Sequence, residues 1–135
     1  MSEFDAVRSL LADQPMLSGR VKDTAVTDRG EVVRDNYVVL FGAGPDELDD
    51  ARYGSIPRPE SDAEFEFPGR AVGTDPEAVR LILHAVRQVV GRKPLVAGRR
   101  CDPVVVDFDS VKVDNSVSPP LYFSDFWVRF WSRRA

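Results

Sequence analysis

The chain has 135 residues, 43% of them hydrophobic, so one domain spanning residues 1–135 with a core of its own is expected. Its formal net charge of -4 argues against a general nucleic-acid binder, which needs a positive surplus to neutralise phosphates. The lone cysteine, Cys101, excludes an internal disulfide or a cysteine-based metal cluster and favours a reducing compartment.

In chain order, the start MSEFDAVRSLL lacks the basic opening and apolar middle of an export signal. No later run is long and apolar enough to span a bilayer. A cytosolic protein is therefore expected. Ser2 and Asp5 can cap a short helix whose apolar residues Phe4, Val7, Leu10 and Leu11 recur at helical spacing, with Pro15 closing it. From Arg20 to Thr27, Val21, Val26 and the Asp28-Arg29-Gly30 turn suggest a strand running into a loop. Residues 37–42, YVVLFG, form the continuous β-branched and aromatic run of a strand covered on both faces.

Residues 42–62 contain three prolines, three glycines and no periodicity, so a long loop is expected between the second and third strands. In residues 63–73, AEFEFPGRAVG, Phe65, Phe67 and Ala71 alternate with Glu64, Glu66 and Arg70, as in a strand with one buried face. Pro68 cannot donate to a ladder, which predicts a bulge at Pro68-Gly69 or an edge position. Residues 74–91 then predict an amphipathic helix. Val79, Ile82, Val86, Val89 and Val90 lie on one side with Leu83 on the flank, and Arg80, His84 and Arg87 lie opposite. Thr74 and Glu77 fit a capping box, Pro76 suits the first turn, and Gly91 can end the helix in the left-handed region.

After Gly91 comes a basic connection, RKPLVAGRRCDP, and then two predicted strands, VVVDFDSVKV at 104–113 and the aromatic LYFSDFWVRFWS that closes the chain. The expected fold is α+β: a mainly antiparallel or mixed sheet of four to five strands with two helices packed on it.

Chemistry finds little support. His84 sits among arginines on the wet side of its helix, and with one histidine and one cysteine there is neither a zinc set nor a well-placed dyad. No serine occupies a glycine-flanked strand-to-helix elbow. Gly42-Ala43-Gly44 is followed by proline and acids, which repel phosphate. Asp107 and Asp109 could share a strand face and hold a hard cation, but no third ligand is in view. No enzyme activity and no cofactor are expected.

Charge and aromatic rings are the conspicuous features. Residues 42–62 carry Asp46, Glu47, Asp49, Asp50, Glu60 and Asp62 against two arginines, whereas Arg87 to Arg100 contains Arg92, Lys93, Arg99 and Arg100 and no acid. Phe126, Trp127, Phe130 and Trp131 put rings on both faces of the last strand. Half are expected in the core and the others, covered by a helix or meeting another subunit.

FDAVRSLLAD, YVVLFGAG, the block from AVG-TDPEAVRLILHAVRQVVG through KPLVAGRRCDP, and the closing SVSPPLYFSDFWVRFWS occur in this order and spacing. Together they resemble the tail terminator, or tail completion, proteins of long-tailed (siphovirus) actinobacteriophages. The resemblance implies a structural virion protein: a homo-hexameric ring that caps the head-proximal end of the tail tube, stops its polymerisation and forms the head-tail joining surface. Its implied partners are further copies of itself, the tail tube protein and the head-tail connector or stopper. No membrane is implied, and DNA only passes through the ring lumen. The implied location is the head-tail junction of the virion, after assembly in the host cytoplasm. A ring built head to tail needs two complementary patches per subunit. The expected interface is Asp46, Glu47, Asp49 and Asp50 against Arg92, Lys93, Arg99 and Arg100, with Trp127 and Trp131 contributing rings. A connector or stopper of the same particle is the nearest alternative, and a small-molecule-binding α+β domain a more distant one.

Overall fold

The last strand, β7 (Leu121–Arg134, fourteen residues), is the axis of the molecule. At about 3.3 Å per residue it runs roughly 46 Å, long enough to carry a different neighbour along each side. The computed structural model describes residues 3–22, 34–41 and 62–134. Along one side β7 pairs antiparallel with all of β3 (Ala63–Gly73), from Ala63 opposite Ser132 to Gly73 opposite Tyr122. Beyond β3 come β2 (Tyr37–Leu40), antiparallel to it, and the two-residue β1 (Val21–Lys22), parallel to β2.

The other side of β7 carries three short strands end to end: β4 (Arg99–Cys101), β5 (Val105–Phe108) and β6 (Lys112–Asp114). Cys101 faces Ser132 and Val105 faces Arg129, so four steps on this side span three on β7. The same excess recurs between Phe108, opposite Phe126, and Lys112, opposite Phe123. Each break thus inserts one residue, in the manner of a bulge. Backbone bonds still cross the breaks, from the Asp102 N–H to the Trp131 carbonyl (2.8 Å) and from the Asp109 N–H to the Asp125 carbonyl (2.9 Å).

The fold is α+β, and the described residues hold a mixed sheet and two helices, α1 (Glu3–Ala12) and α2 (Pro76–Arg87). Among the described residues the sheet has seven strands, more than the four to five expected, because the basic connection supplies β4 and the predicted 104–113 strand is divided in two. The long loop expected at 42–62 lies outside the described residues except for Asp62, as do the Ser2 cap and the Val26 and Asp28-Arg29-Gly30 features.

Both helices pack on one face of the sheet. Ala6, Val7 and Leu11 of α1 and Val79, Ile82, Ala85 and Val86 of α2 share a core with Phe65, Phe67, Phe126, Val128 and Phe130. Each fully buried valine or isoleucine is worth about 1.5–3 kcal/mol before entropy. Val90, expected on the buried face of α2, is 46% exposed, since the helix ends at Arg87 and turns redirect the following residues. The cap is also one residue later than expected: the Asp75 carboxylate, not Thr74, accepts from the Ala78 N–H at 2.8 Å. Gly91 does take a positive φ, +87°. Pro15 opens a 3-10 turn, Pro15–Leu17, that seats Leu17 in the core.

The Pro68-Gly69 pair overturns the expected bulge or edge position. β3 is central and its pairing with β7 passes through both residues unshifted. Antiparallel geometry explains this. The Pro68 carbonyl accepts from the Phe41 N–H at 2.8 Å, so its nitrogen also faces that side, just past the end of β2, and the ladder to β7 loses nothing. Gly69 is required by packing: a Cβ there would lie 2.3 Å from Cζ of Phe126, a fully buried ring with nowhere to go. Gly69→Ala should therefore destabilise the fold by about 1–3 kcal/mol, as overpacked cores do, read as a lower urea midpoint with unchanged slope.

Candidate interaction surface

Opposite the helices, the sheet presents a face that no helix covers among the described residues. Side chains alternate along strands, so β3 contributes Glu64, Glu66, Pro68 and Arg70, and β7 contributes Phe123, Asp125, Trp127, Arg129, Trp131 and Arg133. The edge adds Arg100, Val105 and Asp107, placed opposite Arg133, Arg129 and Trp127. At one end Tyr37, Val39, Val72 and Leu121 form a small second core with Val117 and Phe123 packed on it. This makes β2 buried on both faces, as expected from its sequence.

The rest of the face is a lattice of ion pairs around two tryptophans. The Arg70 guanidinium bonds Asp125 at 2.7 and 3.4 Å and lies 4.3 Å from the Phe123 ring centroid. Arg129 reaches Asp107 at 3.0 Å and Glu66 at 4.0 Å. Arg133 grips Asp102 through Nε and Nη2 at 2.8–3.2 Å and lies 5.3 Å from the Trp131 ring centroid. Phe126 and Phe130 are core, whereas Trp127 is half-buried and Trp131 is 40% exposed. Surface pairs of this kind add little stability each. Their main effect is to hold long side chains in place around the rings.

The basic residues converge on one corner. Arg92 and Lys93 are exposed at the start of the loop after α2, and Arg100 is exposed on β4. Arg99 turns inward: its Nε bonds Ser132 Oγ at 3.0 Å and its Nη2 the Ser132 carbonyl at 2.7 Å, while Ser132 Oγ donates to the buried Glu3 at 3.2 Å. Sequence reasoning missed Arg133 and Arg134, which the β4–β7 register sets opposite Arg100 and Arg99. The pattern SRR at the end of an aromatic strand was the available signal. Asp46, Glu47, Asp49 and Asp50 lie outside the described residues.

The loop 92–98 is tightly built. The Gly91 N–H bonds the Val104 carbonyl at 3.0 Å and the Val104 N–H bonds the Arg92 carbonyl at 2.9 Å, closing its base. Pro94 and Val96 are buried beneath it, and Gly98 turns at φ +74°. Leu95 projects from this frame at 81% exposure. A shallow groove of about 380 Å³ beside it is bordered by Lys93, Leu95 and Arg100.

Among the described residues, the side chains that could carry chemistry stand apart from one another. His84 is exposed on α2, 3.4 Å from Gln88, beside an open groove of about 300 Å³ bordered by Arg80, Arg87 and Phe108. Cys101, expected in a loop, is buried in β4 beneath the sheet's helix-covered face. Asp107 and Asp109, expected to share a strand face, are divided by the end of β5. Asp107 is held by Arg129, and Asp109 by Lys112 Nζ and the Ser110 N–H, both at 2.8 Å. Among the described residues no three His, Cys, Asp or Glu side chains are placed to share a metal, and no helix is long and apolar enough to cross a membrane. No protein-family model matches the chain, and no curated protein matches it.

The hydrogen bonds from Arg133 hold the Asp102 carboxyl below its ordinary value of 3.8, and correspondingly raise Arg133. A depressed carboxylate contributes stability above its unfolded value and loses it as the pH falls through the folded one. Asp102→Asn should therefore melt slightly below wild type at pH 7. The gap should close as the pH drops below 3.8, in paired thermal melts across that range.

Proposed function

We propose that the chain is a structural assembly subunit of the tail-terminator kind. It forms a ring on the head-proximal end of a long phage tail tube, ends tube growth and offers the surface on which the head connector docks. The observation that carries the reading is the sheet face that no helix covers among the described residues, where Trp127 and Trp131 stand in a lattice of ion-paired charges. Interfaces favour rigid aromatic anchors surrounded by polar groups that fix register. The resemblance of the sequence blocks to tail terminators supplies the kind of assembly. The inward-turned Arg99 leaves Arg92, Lys93 and Arg100 as the basic groups aimed outward, and the shallow grooves beside them suit contact better than enclosure of a substrate.

Purified protein added to growing tail tubes should stop elongation and decorate one end only, as seen by electron microscopy. Capping should weaken as salt is raised from 0.05 to roughly 0.5 M, where screening shortens the reach of exposed charges to a few ångströms. Bare tubes, with the protein bound instead to portal-bearing heads, would transfer the assignment to a connector.

A further inference from the structure

The groove beside His84 lies on the helix side of the sheet, away from Trp127 and Trp131. Arg80, His84 and Arg87 border it along two turns of α2, and the half-buried Leu83 and Phe108 give it an apolar floor, in a volume of about 300 Å³. Among the described residues no acid lines it. The acids flanking it in sequence are Glu77, which makes no ion pair, and Asp109, which Lys112 holds at 2.8 Å. On other parts of the described surface Arg20, Arg70, Arg129 and Arg133 bond carboxylates, and Arg34 bonds two carbonyls. Arg80 and Arg87 bond neither acid nor carbonyl, which leaves up to five N–H donors on each. The Phe108 ring centroid, 5.5 Å from Arg87 Cζ, orients that guanidinium through a cation–π contact that uses none of those donors. On the basic corner, in contrast, Asp102 stands among Lys93, Arg100 and Arg133 and offsets part of their charge.

We infer that this groove docks an acidic segment of a partner protein, which lays an apolar side chain on Leu83 and Phe108 and sets its carboxylates against Arg80, His84 and Arg87. Charge selects the occupant: every polar group on the rim is basic, and guanidinium forks meet carboxylates through two parallel N–H···O bonds. Arg80 and Arg87 are seven residues apart, about 10 Å along the helix axis, a distance that roughly three residues of extended chain span. The groove is too open to enclose a free metabolite. A phosphodiester backbone would satisfy the cations but leave the apolar floor uncovered. The contact is separate from the tryptophan face and does not depend on the tail-terminator reading.

The probe is a dye-labelled synthetic peptide of residues 44–52, in which Asp46-Glu47-Leu48-Asp49-Asp50 sets four carboxylates around one leucine. In fluorescence anisotropy with the full chain at about 0.05 M salt it should bind saturably, and raising the salt to roughly 0.5 M should weaken binding. Arg80→Glu and Arg87→Glu replace exposed side chains, so both variants should melt close to wild type, and each should weaken binding about tenfold. Arg100→Glu, on the other face of the sheet, should change it by less than about twofold. Leu48→Ser in the peptide should weaken it about threefold or more, because the apolar floor then has nothing to cover it. Absence of saturable binding overturns the proposal. An Arg100→Glu loss as large as that of Arg80→Glu, or indifference to Leu48→Ser, overturns it as well, because either reduces the contact to diffuse attraction between unlike charges. So does a short DNA duplex that displaces the peptide and itself fails to bind Arg80→Glu, which would assign the groove to phosphate.

Discussion

Everything in the described fold depends on β7 being paired along both sides for most of its length. Its register with β3 never slips, so one alternation of side chains sends Ser124, Phe126, Val128, Phe130 and Ser132 under the helices and Asp125, Trp127, Arg129, Trp131 and Arg133 to the open face. A slip of one residue would exchange the two sets, exposing the core rings and burying three charges. The seating of Phe126 over Gly69 and the Ser132 contacts with Arg99 and Glu3 fix this register near the middle and one end of the strand.

The same strand connects the packed core to the opposite face. Phe65 and Phe130 stack at 5.8 Å between centroids on the covered side, which holds the backbone that presents Glu64 and Trp131 on the other. The open face therefore shares the backbone that the core rings hold in register. Rigid rings and tethered charges favour contact with a partner of fixed shape over adaptation to a flexible one.

How much of this the sequence discloses depends on the range of the forces involved. Local periodicity makes α2, β2 and the alternation of β3 legible, since each is written in apolar spacing that burial then satisfies. The 3-10 turn and the exposure of Val90 escape because they depend on where helices stop. Pro68 misleads because proline excludes a ladder bond without saying on which side; only the end of β2 at Leu40 decides that. β4 is hidden inside a basic, proline-bearing stretch and becomes a strand through pairing with Arg133 and Arg134, more than thirty residues away. The rings of the last strand are legible as half core and half surface. Their company of acids and arginines is set by register across three strands, which no single stretch of sequence displays.

The two one-residue insertions along the β4–β5–β6 edge have a further consequence. An invading strand of regular pleat could match the outward amides and carbonyls of one segment for three or four residues, and would then fall out of step at the next break. The mismatch disfavours continuous strand addition along that border. The two extra residues thus act along this margin as built-in protection against pairing with a further regular strand.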